Sequence, residues 1–206
     1  MTGKNASIIT DFMSHIKNAD TEKFIMCMLY CFSAPTIKGI KSACLINFRR
    51  NKGENMRASW KLNAEKWLSP FGLEWLMLNE DCPGENALVL VYRRELLARA
   101  LGRVKACDIL AEYGYPLHDV DACLECLRRK FLSGFPHEIG LFLDYPPDDV
   151  RGFIEGRNAE KSSCPGYWKV YGNHDEAKRI FNEYRKAECD AAWAMMSGGL
   201  QYITEV

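Results

Sequence analysis

Two short stretches of the sequence carry residue types that could bind or transform a small molecule. The first is the segment from Pro35 to Lys41, which we predict to be a loop that presents Lys38 and Lys41. Loops often carry function when a rigid scaffold positions them. The second is Pro136-His137-Glu138, where we predict the start of a helix. Free backbone N–H groups at a helix start attract anions, and histidine exchanges protons readily near neutral pH.

A third stretch, Tyr167 to Tyr171, combines three aromatic residues with a lysine. We predict a short strand here, with Tyr167 and Lys169 facing one side and Trp168 the other. An aromatic wall with a lysine suits a planar or anionic ligand. The alternative is an amphipathic edge strand without a ligand.

We predict that these three stretches meet around one concavity that binds a small-molecule ligand or a cofactor of unidentified type. The predicted ligand-binding residues are Lys38, Lys41, His137, Glu138, Tyr167, Trp168 and Lys169. Three alternatives stay open. Each stretch could serve only its own packing, His137 and Glu138 could perform acid–base chemistry in an enzyme, or the helices could form a protein-interaction adaptor.

Several familiar chemical motifs are missing or incomplete in the sequence. His137-Glu138 resembles the start of H-E-x-x-H, but Leu141 occupies the position of the second histidine, and Cys123 and Cys126 form a lone C-x-x-C. We therefore predict no metal site. Dinucleotide-binding, Walker and nucleophile-elbow motifs are also absent from the sequence. We expect the nine cysteines to be reduced, several of them simply buried.

Charge and hydropathy argue against nucleic-acid and membrane partners. The 206 residues include 27 basic and 27 acidic side chains, so the chain lacks the excess positive charge that favours phosphate contacts. A helix-turn-helix outline near residue 147 begins its second helix with Pro147-Asp148-Asp149, which would place carboxylates against phosphates. The longest apolar run, from Phe24 to Phe32, is too short to span a bilayer, and we expect a cytoplasmic protein. The oligomeric state stays open.

Apolar periodicity and turn residues predict a helix-rich α+β fold in a single domain over 1–206. We expect an N-terminal α/β part over 1–100, paired helical hairpins over 103–156, and a strand with a long final helix over 164–196. Four strands, near 43–48, 73–79, 87–92 and 167–171, should form one small mixed sheet. Asp20 and Asn173 are predicted to cap the helices that follow them.

An internal repeat organises the helical hairpins. Gly114-Tyr115-Pro116 is echoed by Asp144-Tyr145-Pro146, and in both copies an aspartate and a valine follow the proline three and four residues later. Proline and acidic residues suit the first turn of a helix. Each copy therefore predicts a helix, a tight Tyr-Pro turn and a second helix.

The stretches 34–41, 88–93, 135–154 and 166–171 resemble, over residues 20–186, a bacterial family known only as domain of unknown function 3793. The most specific motif is Phe135-Pro136-His137-Glu138-Ile139-Gly140-Leu141-Phe142-Leu143, together with Gly166-Tyr167-Trp168-Lys169-Val170-Tyr171. The resemblance implies a cytoplasmic protein of an anaerobic bacterium, which suits the thiol-rich composition. It implies no activity and no residue roles. The segment after Glu188 lies outside the resemblance.

Overall fold

A computed structural model of the chain describes residues 2–50, 53–157 and 166–198. Predictions that fall on residues 51–52, 164–165 and 199–206 lie outside these ranges. Strands β1, β2 and β3 cover Ala43–Phe48, Glu74–Met77 and Ala87–Tyr92, and a 3-10 turn covers Ser69–Phe71. The helices are α1 (Thr2–Ile16), α2 (Thr21–Phe32), α3 (Ala34–Ile37), α4 (Met56–Leu68), α5 (Arg94–Leu101), α6 (Val104–Glu112), α7 (Val120–Lys130), α8 (Ile139–Phe142), α9 (Pro147–Ile154) and α10 (His174–Met196).

The predicted α+β class is confirmed, with a three-stranded sheet in the order β1-β3-β2. The sheet was predicted to be mixed, but both strand pairs are antiparallel. The predicted hairpin is formed by β2 and β3, with Glu74 opposite Tyr92. β2 is shorter than predicted because the Asn79 side chain replaces backbone pairing at its end. Its Oδ1 accepts from the Leu88 N–H, and its Nδ2 donates to the Asn86 carbonyl.

The fourth predicted strand, over 167–171, is wrong. In the described residues the sheet has three strands, and the segment 166–173 is irregular. The Tyr171 and Gly172 N–H groups donate to Asp149 Oδ1, at 2.6 and 2.7 Å, instead of to a neighbouring strand. A carboxylate on α9 has therefore taken the place of a strand partner.

The sheet separates two apolar cores. On β3, Val89 and Val91 pack into a core with α1, α2 and α4, whereas Leu90 and Tyr92 pack into a second core with α5 to α9. Side chains alternate between the faces of a strand, so both faces of β3 are buried. The two predicted caps are confirmed, because Asp20 accepts from the Lys23 N–H and Asn173 from the Glu176 N–H.

Both copies of the repeat form a turn between two helices, but the following helix begins directly after the Tyr-Pro pair only in the second copy. α9 begins at Pro147, whereas α7 begins at Val120, four residues after Pro116. Gly114 and Asp144, which open the copies, have positive φ angles of 75° and 62°. The following tyrosine N–H groups donate back to the carbonyls of Leu110 and Gly140, at 3.0 and 2.9 Å. This hydrogen bond satisfies a carbonyl that a helix end would otherwise leave free.

None of the helices in the described part of the chain is both long enough and apolar enough to cross a lipid bilayer.

Candidate functional site

A cavity of about 750 Å³ lies along β1, the edge strand of the sheet. Its other walls come from α2, α8, α9, α10, the second Tyr-Pro turn and the segment after residue 166. Most of the wall is apolar. Apolar side chains in it include Met28, Phe32, Ile46, Leu143, Val150 and Phe153. The volume is in the range of cavities that hold small molecules.

Five of the seven predicted ligand-binding residues line this cavity, namely Lys41, His137, Tyr167, Trp168 and Lys169. They come from three stretches that are far apart in the sequence. Tyr167, Trp168 and Lys169 are consecutive, and all three reach the cavity because the segment does not alternate as a strand would. The other two, Lys38 and Glu138, lie elsewhere.

Lys38 and Glu138 form ion pairs outside the cavity. Lys38 caps α3, is exposed, and lies 3.7 Å from Asp190 on α10. Glu138 is buried, accepts a hydrogen bond from the Tyr115 hydroxyl and lies 3.6 Å from the Lys130 ammonium. His137 and Glu138 therefore point into different parts of the molecule, which does not support an acid–base pair.

The observed helix start lies three residues after the one predicted at Pro136-His137-Glu138. α8 begins at Ile139 and comprises four residues. The N–H groups of Ile139, Gly140 and Leu141 donate to the carbonyls of residues 136, 137 and 138. These bonds satisfy the three N–H groups at the observed start of α8, so those groups are not free to bind an anion.

Lys41 is the buried cation of the cavity. The predicted Pro35–Lys41 loop is helical in its first part, since α3 ends at Ile37, and the chain then turns back so that the Lys41 N–H donates to the Pro35 carbonyl. The residue is only 6% exposed. Its position two residues before β1 places the side chain at the edge of the sheet.

Three tyrosine rings surround the Lys41 ammonium. Its Nζ lies 5.5, 5.7 and 5.2 Å from the ring centroids of Tyr145, Tyr167 and Tyr184. Such contacts partly replace the hydration that a buried ammonium loses. Among the described residues, no carboxylate oxygen lies within 4 Å of this nitrogen, although Glu188 also lines the cavity.

Burial shifts the pKa values at this end of the cavity. Desolvation lowers the pKa of Lys41, and electrostatic interactions with Cys44, Glu188 and Asp144 oppose that shift. Desolvation also raises the pKa of Glu188, although a hydrogen bond of 2.6 Å from the Tyr167 hydroxyl and the charge of Lys41 work against it. Both shifts favour the uncharged forms of the two groups.

Asp149 holds the wall that carries Tyr167, Trp168 and Lys169. This buried carboxylate accepts hydrogen bonds from the Trp168 indole N–H at 2.8 Å and from the two backbone N–H groups that follow the wall. The Trp168 ring stacks on Tyr145, with 4.6 Å between the centroids. Three bonds to one charge fix the wall against α9.

The mouth of the cavity is aromatic and exposed. Phe135 and Phe153 line it and are 56% and 46% exposed. His137 lies between them, with ring-centroid distances of 6.5 Å to Phe135 and 5.1 Å to Phe153. An apolar ligand could therefore enter along aromatic surface.

The sequence arguments missed Asp149, Glu188, Tyr145 and Cys44, all of which line the cavity. Desolvation raises the pKa of the Cys44 thiol to about 11, so this cysteine is an inert wall residue at neutral pH. For Asp149 and Tyr145 a signal existed, because both occupy the repeated positions of the second Tyr-Pro copy. Glu188 lies within a long amphipathic helix and had no distinguishing signal.

The fold and the cavity define a helix-rich α+β protein with a mainly apolar pocket that contains one buried lysine. The chain belongs to the family described as protein of unknown function, DUF3793, whose model matches residues 29–203. The match includes the segment after Glu188, which the sequence resemblance had left out. No curated protein and no solved structure was found to match the chain.

Proposed function

We propose that the protein binds a small, mainly apolar molecule whose single polar group lies at Lys41. The observation that carries this proposal is a cavity of about 750 Å³ with apolar walls and one buried amine. Burying an amine without a carboxylate partner is unfavourable for folding alone. A ligand group that accepts a hydrogen bond from this amine would offset that penalty.

The chemistry of the walls limits the ligand further. Tyr145, Tyr167 and Trp168 provide aromatic faces, and the apolar residues of α2 and β1 close the opposite side. A ligand with a flat or elongated apolar body fits these walls, and a carboxyl or carbonyl head group on it would accept a hydrogen bond from Lys41. The sizes of the cavity and of the exposed aromatic mouth support entry of a free molecule.

The test is titration with naphthoate, an aromatic carboxylate, followed by calorimetry. We expect Lys41→Met to weaken binding about tenfold, which corresponds to the loss of about one hydrogen bond. Lys38→Met is the matched control, because Lys38 lies three residues away and outside the cavity, and it should bind as the wild type does. Equal binding by wild type and Lys41→Met, or no binding by the wild type, would contradict the proposal.

A further inference from the structure

Lys41 has the surroundings of an amine that reacts rather than one that only binds. A lysine that contributes to stability usually pairs with a carboxylate, as Lys130 does with Glu138 at 3.6 Å. Lys41 has no described carboxylate within 4 Å, faces a cavity, and is enclosed by aromatic rings. An amine in an apolar pocket is available in its neutral, nucleophilic form.

We propose that Lys41 forms a Schiff base with an aldehyde or ketone group of the ligand. This inference rests on the proposed binding in the cavity and names the ligand's polar group as a carbonyl. The apolar walls would hold the body of the ligand, and the carbonyl carbon would lie at the Lys41 nitrogen.

The second group needed for this reaction is a proton donor, and Glu188 fits that role. It lines the same cavity, is buried, and accepts a 2.6 Å hydrogen bond from the Tyr167 hydroxyl. Its raised pKa keeps a proton on the carboxyl to higher pH than usual. The Tyr167 ring faces Lys41, and the hydroxyl on the same ring donates to Glu188.

The steps balance without any further reactant. The lone pair of the neutral Lys41 amine forms a bond to the carbonyl carbon, the carbonyl π bond breaks, and one proton moves from nitrogen to oxygen. The resulting carbinolamine oxygen then takes the proton of Glu188, and the carbon–oxygen bond breaks to release water. The products are a protonated imine on Lys41 and the Glu188 carboxylate, which serves as its counter-ion.

The experiment is to trap this imine in the full chain. The protein is incubated with naphthaldehyde and cyanoborohydride, and the modified lysines are located by peptide mass spectrometry. We expect Lys41 to be modified about tenfold faster than any exposed lysine, because its burial favours the neutral amine and Glu188 supplies the proton that the loss of water needs. Naphthoate should slow modification at Lys41 and leave the exposed lysines unaffected.

Two variants separate reaction from binding. Lys41→Arg keeps a cation but cannot form an imine, so trapping in the cavity should disappear, whereas Lys38→Arg should react as the wild type does. Glu188→Gln can still accept the Tyr167 hydrogen bond, and it should slow trapping about tenfold at a saturating concentration of naphthaldehyde.

The outcomes distinguish the two proposals. If naphthoate binds at Lys41 but trapping there is no faster than at exposed lysines, the Schiff base is wrong and the binding proposal stands. If neither naphthoate nor naphthaldehyde reaches the cavity, the binding proposal fails first. Trapping at Lys41 that naphthoate slows supports both.

Discussion

The two Tyr-Pro turns share a positive φ angle and a returning hydrogen bond, but their surroundings differ. In the first turn, Lys130 lies 5.2 Å from the Tyr115 ring, and both residues also contact Glu138. In the second turn, Lys41 lies 5.5 Å from the Tyr145 ring, but the Tyr145 hydroxyl donates to the Tyr167 carbonyl. The first cluster is complete within the protein, whereas the second leaves an ammonium facing a cavity.

The repeated aspartates differ in the same way. Asp119, in the first copy, accepts from the Asp121 N–H and caps its own helix. Asp149, at the same position of the second copy, lies inside α9 and binds a separate segment. A repeated motif thus specifies the turn, and the neighbouring segments decide whether each copy serves stability or builds a site.

The largest expected effect on stability comes from removing Asp149, and removal of Asp119 is the comparison. Asp149→Ala leaves three donors without a partner, and we expect a loss of about 3–4 kcal/mol in the free energy of unfolding. Asp119→Ala removes a helix cap and should cost about 1 kcal/mol. Urea denaturation of both variants measures the difference. Equal losses would mean that the two copies have not diverged in role.

Replacing Lys130 and replacing Lys41 with methionine should change the free energy of unfolding in opposite directions. Lys130→Met leaves the buried Glu138 without its cation and should destabilise the protein by about 1–3 kcal/mol. Lys41→Met removes a buried amine that lacks a carboxylate partner and should stabilise the protein by about 1 kcal/mol. Thermal and urea unfolding at neutral pH test the signs. Destabilisation by Lys41→Met would show that its cation–π contacts outweigh its desolvation.

The stabilisation by Lys41→Met should shrink as the pH rises. Because desolvation lowers the folded pKa of Lys41 below its usual 10.5, the unfolded chain binds this proton more tightly. The contribution of Lys41 to the free energy of unfolding of the wild type therefore rises with pH between its folded pKa and 10.5. Interactions with Cys44, Glu188 and Asp144 make the pKa shift smaller. Unfolding at several pH values gives the difference between wild type and variant.

Ile46→Val serves as the control for this pH series. It alters the same cavity wall without a titratable group, so its difference from wild type should not depend on pH. A Lys41→Met difference that is equally constant would mean that the folded and unfolded pKa values of Lys41 are the same.

Local sequence patterns predicted the hairpin and the helix caps, because neighbouring residues determine both. The sequence also indicated Lys41, His137 and the stretch Tyr167–Lys169, which the structure brings to one cavity. It could not separate Lys41 from Lys38, since their directions depend on where α3 ends. Nor could it foresee that Asp149 would accept hydrogen bonds from the backbone after Trp168, because those contacts join residues 22 and 23 positions apart.

The smallest expected effect on stability concerns a third difference between the two turns. The carbonyl that accepts from the turn tyrosine belongs to Leu110 in the first copy and to Gly140 in the second. A Cβ at Gly140 would lie 2.8 Å from Val150 Cγ2 and 3.1 Å from Tyr145 Cδ2. Glycine is therefore needed for close approach of α9 and the turn, rather than for its φ angle.

Gly140→Ala should change the free energy of unfolding by less than about 1 kcal/mol, because the better helix propensity of alanine offsets the clash. Val150 and Tyr145 both line the cavity, so relief of the clash pushes them into it. We expect naphthoate to bind about threefold more weakly, because the displaced side chains take up part of the cavity. Overpacking typically costs about 1–3 kcal/mol, and the displacement relieves only part of that cost. Unchanged binding together with a larger loss of stability would mean that the clash is relieved by movement of atoms outside the cavity.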